Sequence, residues 1–282
     1  MSSREAYRHC ESITRACAAN FYYGIRLLPT HKRSAICAVY AFARRVDDIA
    51  DGPMASDEKL RLLALAEQAA REPSRASGDP VMVALADVHE SFGLPLDALT
   101  DLIAGVRMDV NGTRYEHFDE LVLYCRRVAG SIGRLCVAIF GARETERASL
   151  LADDLGVAMQ LTNILRDLRE DADSGRVYLP AEDLRRFGVP RDSGAFAGDP
   201  ERLEELLLFE VSRAREWFDR GLELVGLLDH RSAACVLAMT GIYRRLLERI
   251  ERRPRLSARE RVSLPVWEKA WVAGRSMVGA AR

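Results

Sequence analysis

Residues Leu155 to Leu168 read LGVAMQLTNILRDL, and at helical pitch they are apolar on nearly every side. A helix with so little polar surface belongs inside a protein, covered by other helices. Ser34 to Val46, SAICAVYAFARRV, has the same character. Two such segments predict a bundle with at least two central helices. Outward from them, helical periodicity continues almost everywhere and strand alternation almost nowhere. The spacing predicts helices over about Arg4–Asn20, Thr30–Asp51, Ser56–Arg71, Asp79–Phe92 and Pro95–Asn111. Others follow over about Phe118–Phe140, Glu144–Asp171, Glu201–Leu228, Ser232–Arg252 and Ala258–Arg282. Leu28-Pro29, Gly52-Pro53, Gly93-Leu94-Pro95 and Arg253-Pro254 fall between these patterns, where breakers belong. One long irregular segment, Ala172–Pro200, is rich in Gly and Pro, and a loop of that length is usually functional or mobile. No repeat or linker divides the chain, so the expectation is one all-α domain over residues 1–282.

Composition excludes several classes. Hydrophobic residues make up 48% of the 282 and charged residues 29%, which rules out a disordered or collagen-like chain. The net charge of -1 gives no global basic excess for nucleic acid or anionic lipid. Only Lys32, Lys59 and Lys269 among the 41 basic residues are lysines, a bias without functional meaning. The six cysteines form no Cys-x-x-Cys pair and sit mostly in apolar patterns, as reduced core residues of a cytoplasmic protein do. Met1–Tyr7 is no secretory signal, and the longest uncharged run, Ser232–Tyr243, is too short to cross a bilayer.

The polar residues on the central helices therefore carry the information. Asp47 and Asp51 share a face at the end of the first, with Arg44 and Tyr40 one and two turns earlier. Negative charge at a helix C-terminus opposes the macrodipole, and like charges at i and i+4 repel, so a cation is expected to offset both. Paired carboxylates suit Mg²⁺, which also keeps phosphate oxygens in its shell. On the second helix, Gln160, Asn163, Asp167 and Asp171 are spaced 3, 4 and 4 and form one stripe, with Gly156 a turn earlier leaving room for a ligand. Left unpartnered, such groups would cost about 1–3 kcal/mol each. The two acid pairs are expected to face each other across a cavity and to hold metal-bound diphosphate.

These residues also resemble a known family. Tyr40–Asp51 (YAFARRVDDIAD) is similar to the first aspartate motif of squalene/phytoene synthases, and Gln160–Asp171 with Gly175–Pro180 (GRVYLP) to the second. Tyr124–Gly133 (YCRRVAGSIG) resembles the tyrosine and small-residue helix between them. The resemblance implies the all-α isoprenoid-synthase fold and head-to-head condensation of two prenyl diphosphates. It also implies Mg²⁺ held by Asp47, Asp51, Asn163, Asp167 and Asp171, with Arg44, Gln160, Arg166, Arg176 and Tyr243 meeting substrate. Tyr40, Tyr124 and Tyr178 would line the reacting end. Gly130, Ser131 and Gly133 would admit a prenyl chain or let helices pack closely; the two are compatible.

Asn20–Pro29 (NFYYGIRLLP) resembles the start of bacterial enzymes that make presqualene diphosphate from two farnesyl diphosphates, although the family more often has serine where Asn20 stands. That product implies a downstream squalene-forming partner. The alternatives are phytoene from geranylgeranyl diphosphate, dehydrosqualene or squalene, and, in a different class, a non-catalytic relative that binds prenyl lipid. Near the C-terminus, Trp267 and Trp271 at i and i+4 read either as a core-facing stripe or as an interfacial helix giving peripheral contact with the inner membrane.

Overall fold

A computed structural model describes residues 2–18, 21–75, 78–190 and 199–280. Among them every regular element is a helix. In chain order the α-helices are α1 (Ser3–Cys17), α2 (Phe21–Ile25), α3 (Thr30–Asp51), α4 (Ser56–Arg71), α5 (Pro80–Phe92), α6 (Leu96–Val110), α7 (Phe118–Cys125) and α8 (Ser131–Phe140). They continue as α9 (Thr145–Arg166), α10 (Leu168–Asp173), α11 (Ala181–Arg186), α12 (Pro200–Gly221), α13 (His230–Arg252), α14 (Pro254–Ser257) and α15 (Val266–Gly279).

The two apolar segments lie where their composition requires. In α3, Ala35 to Val39, Ala41, Phe42 and Val46 are buried, and in α9 so are Leu155 to Ala158, Leu161, Thr162, Ile164 and Leu165. Around α3 pack α1, α5, α6 and α8; against α9 pack α12, α8 and α13. Helix α13, expected over Ser232–Arg252 but not as a central helix, is a third one, with Ala233 to Val236, Ile242, Tyr243 and Leu246 buried. The buried apolar side chains form one connected cluster. No helix among the described residues is long and apolar enough to cross a membrane.

Several boundaries differ from the sequence expectation. The helix expected over Glu144–Asp171 breaks at Asp167, whose φ of -104° and ψ of 12° lie in the bridge region, so Asp171 sits on the separate α10. Phe118–Phe140 is continuous but wound as a π-helix over Arg126–Gly130, and such bulges often mark functional sites. Leu222–Leu227 is a 3₁₀-helix, and Ala258–Pro265 is not regular helix, with Pro265 setting the start of α15. The Gly- and Pro-rich segment contains the short α11; its residues 191–198, like Asn20, lie outside the described residues. All six cysteines are free, four of them buried, while Cys17 is exposed and Cys136 half-buried.

Candidate active site

A mostly apolar cavity of about 260 Å³ lies between α3, α8, α9 and α13. From α3 it is lined by Ile36, Val39, Tyr40, Ala43 and Asp47; from α9 by Ala152, Leu155, Gly156, Met159, Gln160 and Asn163. Eleven residues separate Ile36 from Asp47, and eleven separate Ala152 from Asn163. At 1.5 Å per residue the walls therefore run about 16 Å. The polar groups collect at the C-terminal ends of α3 and α9. Phe140 lies at the other end, where its carbonyl accepts from Lys32 Nζ, near the start of α3.

At the polar end Asp47 faces the cavity; burial of its carboxylate and the charge of Asp51 push its pKa up to about 7. Asp171 is likewise raised to about 7, first by burial and then by Asp167. Each expected acid pair is thus crowded enough to favour a proton on one member. The pairs also sense a common third carboxylate, Asp109, whose charge raises both Asp47 and Asp171. Arg176 Nη2 donates to Asp51 Oδ1 at 3.1 Å and its charge lowers Asp171, so one guanidinium serves both motifs.

Asp109, on α6, escaped the sequence reading. Its carboxylate accepts from Tyr124 at 3.0 Å and from Tyr178 at 2.8 Å. Burial raises its pKa and those two hydroxyls pull it back, with a net rise. The rings of Tyr115, Tyr124 and Tyr178 pack with centroids 5.2 to 6.4 Å apart, and the Tyr115 hydroxyl is buried without a partner. One signal was available: Leu102, Val106 and Asp109 continue an i, i+4, i+7 stripe whose first two members are buried, so an acid in apolar phase stands at its end.

The other expected residues are placed unevenly. Tyr40, Gln160, Asn163 and Tyr243 line the cavity, and Tyr243 stacks on Phe21 at 5.7 Å. Asn163 Nδ2 donates to Gln160 Oε1 at 3.2 Å, leaving Asn163 Oδ1 buried and unpartnered. Arg44 turns away to pair with Asp48 at 2.6 Å, because four residues separate them along the exposed side of α3. Arg166 is engaged by Asp167 at 2.5 and 2.8 Å. Asp167 is held a second time by Arg261 at 3.1 Å, another residue the sequence did not single out, since it lies in the irregular stretch before α15. Lys269 of α15 lies close enough to Arg166 and Arg261 that burial and their charges lower its pKa.

The small residues act mainly in packing. A Cβ on Gly156 would lie 2.5 Å from the backbone nitrogen of Gly130, and one on Gly133 would lie 2.4 Å from the carbonyl oxygen of Ala152. Gly156 and Gly133 also line the cavity, so close approach of α8 and α9 and space for a ligand are met by the same residues.

The donor set is oxygen-rich and fits a hard dication: crowded carboxylates at both motifs and an unsatisfied Asn163 oxygen between them. Among the described residues no three Asp, Glu, His or Cys side chains converge enough to hold an ion unaided. Oxygens from a ligand would have to complete any such shell.

An all-helical bundle enclosing an apolar cavity with acid pairs at one end is the isoprenoid-synthase architecture. It superposes on a dehydrosqualene synthase with a TM-score of 0.86 at 27% identity, covering 99% of this chain and 98% of that one. Squalene synthase HpnC from Alicyclobacillus acidocaldarius matches with a TM-score of 0.82 at 30% identity, over 90% and 95% of the two chains. The chain belongs to the squalene/phytoene synthase family, whose model matches residues 14–268. It is 48% identical to the phytoene synthase of Mycobacterium tuberculosis over 98% of this chain and 92% of that protein, and 38% identical to that of Arthrospira platensis.

Proposed function

We propose that the chain is a phytoene synthase, joining two geranylgeranyl diphosphates head to head, rather than a presqualene diphosphate synthase acting on farnesyl diphosphate. The observation that carries this is the 48% identity, over nearly the whole chain, to proteins of that name. The condensation itself fits the cavity, which puts charge at one end and hydrocarbon walls along the rest. In this reading the squalene-forming partner has no role.

The residues divide the work by position. Arg176, Arg261 and Lys269 stand at the charged end as cations for diphosphate oxygens, and guanidinium forks suit that partner. Asp47, Asp51, Asn163, Asp167 and Asp171 would hold Mg²⁺, which when bound supplies Lewis-acid neutralisation of the leaving diphosphate. Binding diphosphate would draw Arg166 and Arg261 off Asp167, freeing that carboxylate for the shell. The apolar walls exclude water from the allylic cation, and the faces of Tyr40, Tyr243 and Phe21 steady it. Two diphosphates and two protons leave for each forty-carbon hydrocarbon formed, so no reductant enters the balance.

A second reading, presqualene diphosphate or dehydrosqualene from farnesyl diphosphate, draws support from the likeness to the two solved structures. Purified protein incubated with each prenyl diphosphate, with Mg²⁺ or with EDTA, and with or without NADPH, separates them by mass spectrometry. Phytoene from the C20 substrate, dependent on Mg²⁺ and indifferent to NADPH, is expected. Presqualene diphosphate from the C15 substrate, with no C20 turnover, overturns the main reading. Because amphiphiles enter and an oil leaves, we place this activity in the cytoplasm at the surface of the inner membrane.

A further inference from the structure

Helix α15 has two apolar faces, and only one has a partner. Glu268, Val272, Ala273 and Ser276 are buried, chiefly against α13, with Val272 reaching toward Gly241. On the opposite side, Trp267, Trp271, Gly274 and Val278 are spaced 4, 3 and 4 and fall within about 60° of one another. Trp267 is 71% exposed, Trp271 45% and Val278 68%, and Val266 at the helix start is 68% exposed. Large exposed apolar residues elsewhere among the described residues, such as Leu65 and Leu150, belong to separate helices, so α15 carries the concentrated patch. Of the two readings of the Trp pair, the core-facing stripe is overturned: the pair occupies the outer phase because Glu268, Val272 and Ser276 take the inner one.

Cations frame this face. The Arg245 and Arg275 guanidiniums stand 4.6 and 4.8 Å from the Trp271 ring centroid, and Arg275 has no carboxylate partner among the described residues. The single acid of α15, Glu268, is buried and spanned by Arg245 at 2.7 Å and Arg249 at 3.0 Å. Arg245 and Arg275 are therefore the cations beside the exposed indole, while Lys269 belongs to the inner side of the helix. Indole rings flanked by arginines, with no exposed acid on the helix, match the headgroup zone of an anionic bilayer. A second protein copy would favour an uncharged rim less specifically. The inner side of the same helix bears Lys269 toward Arg166 and Arg261, and α15 also touches α2, whose Phe21 and Ile25 line the cavity.

We propose that the outer face of α15 is a docking surface for anionic lipid, with Trp267 and Trp271 inserted at headgroup depth. The bilayer would then lie on the far side of α15 from α13 and α2, two of the helices that line the cavity. The purpose of this contact rests on the prenyl-substrate reading; the contact itself is measured without substrate.

The test uses the full chain and vesicles of phosphatidylglycerol mixed with phosphatidylcholine, against phosphatidylcholine alone. Co-flotation with the anionic vesicles only is expected, lost as salt rises, together with quenching of tryptophan fluorescence by brominated lipid. W267S/W271S should weaken binding at least about tenfold and R275E by a smaller factor, with turnover of detergent-dispersed substrate unchanged. R275E keeps the test decisive if the double variant melts early, because Arg275 stacks only on an exposed ring. Absence of wild-type flotation, equal flotation of all variants, or a tryptophan-dependent dimer without vesicle binding each overturns the proposal. Because no substrate is present, flotation stands or falls separately from product identity.

Discussion

At Asp47 and Asp171, burial comes first and a neighbouring carboxylate second in favouring the protonated form, and both pKa values rise to about 7. A carboxyl whose folded pKa exceeds its unfolded value of about 3.9 stabilises the fold at acid pH, and that contribution is lost as pH rises through 7. Asp171→Asn should therefore raise the melting temperature in EDTA at pH 8 by about 2–4 °C after discounting for solvent screening, Asp47→Asn by less because that residue is the more exposed of the two, and neither should change it near pH 4. Turnover with Mg²⁺ should fall by roughly 10²-fold or more in either variant. Melting curves at the two pH values check the first statement, and an unaltered rate would sink the metal-ligand assignment. Asp109→Asn makes a different prediction. It keeps the shape but removes the charge that accepts from both Tyr124 and Tyr178. Steady-state kinetics should show kcat reduced more than about tenfold with KM nearly constant, because the hydroxyls lose their orientation rather than the substrate its anchors. The two aspartate motifs were legible because each is local, its acids four residues apart at the end of an apolar helix. Asp109 was not, because its partners at 124 and 178 come from other elements and only the fold brings them to it.

The elements show the same division between local pattern and tertiary assembly. Helices α3 and α9 could be read from composition, since residues apolar on all sides have only one stable location. The break at Asp167 carries no proline or glycine, so nothing in the local sequence announces it. In the structure the Asp167 carboxylate is drawn to Arg166 and Arg261, and the latter is contributed from ninety-four residues onward. The π-helix over Arg126–Gly130 is equally silent in sequence, yet it packs Gly130 directly on Gly156 of α9. A methyl group at Gly156 would meet three backbone atoms of Ala129 and Gly130 at 2.5 to 2.6 Å, and backbone cannot rotate aside as a side chain does. Gly156→Ala should cost about 2 kcal/mol through overpacking. It should also depress turnover, because the displaced segment carries the cavity-lining Val128 and Ala129. Urea unfolding measures the first effect. A variant as stable as wild type would show that α8 and α9 can separate freely.

Across the whole molecule, three central helices align so that their polar residues meet at one end of the cavity and their apolar residues line the rest. On α3, α9 and α13 the cavity-lining positions run from Asp47, Asn163 and Tyr243 inward to Ile36, Ala152 and Cys235. Substrate length is then set by how far a prenyl chain can travel from the acid end, which makes the inner wall the place to change it. Cys136 of α8 lines that wall, half-buried, close enough to Cys235 of α13 to help raise that thiol's pKa, and both line the cavity that Asp47 lines at its polar end. Enlarging it to Phe adds several heavy atoms where the chain should end, while leaving every charged group in place. Cys136→Phe should lower kcat/KM for geranylgeranyl diphosphate by about tenfold or more, a cost of roughly 1.4 kcal/mol. The value for farnesyl diphosphate should change by less than about threefold, so the preference moves toward the shorter chain. Competition between the two substrates in one reaction, with both products quantified by mass spectrometry, reads the ratio directly. An equal loss on both substrates would mean that the inner wall does not measure chain length and that selection occurs nearer the diphosphate end.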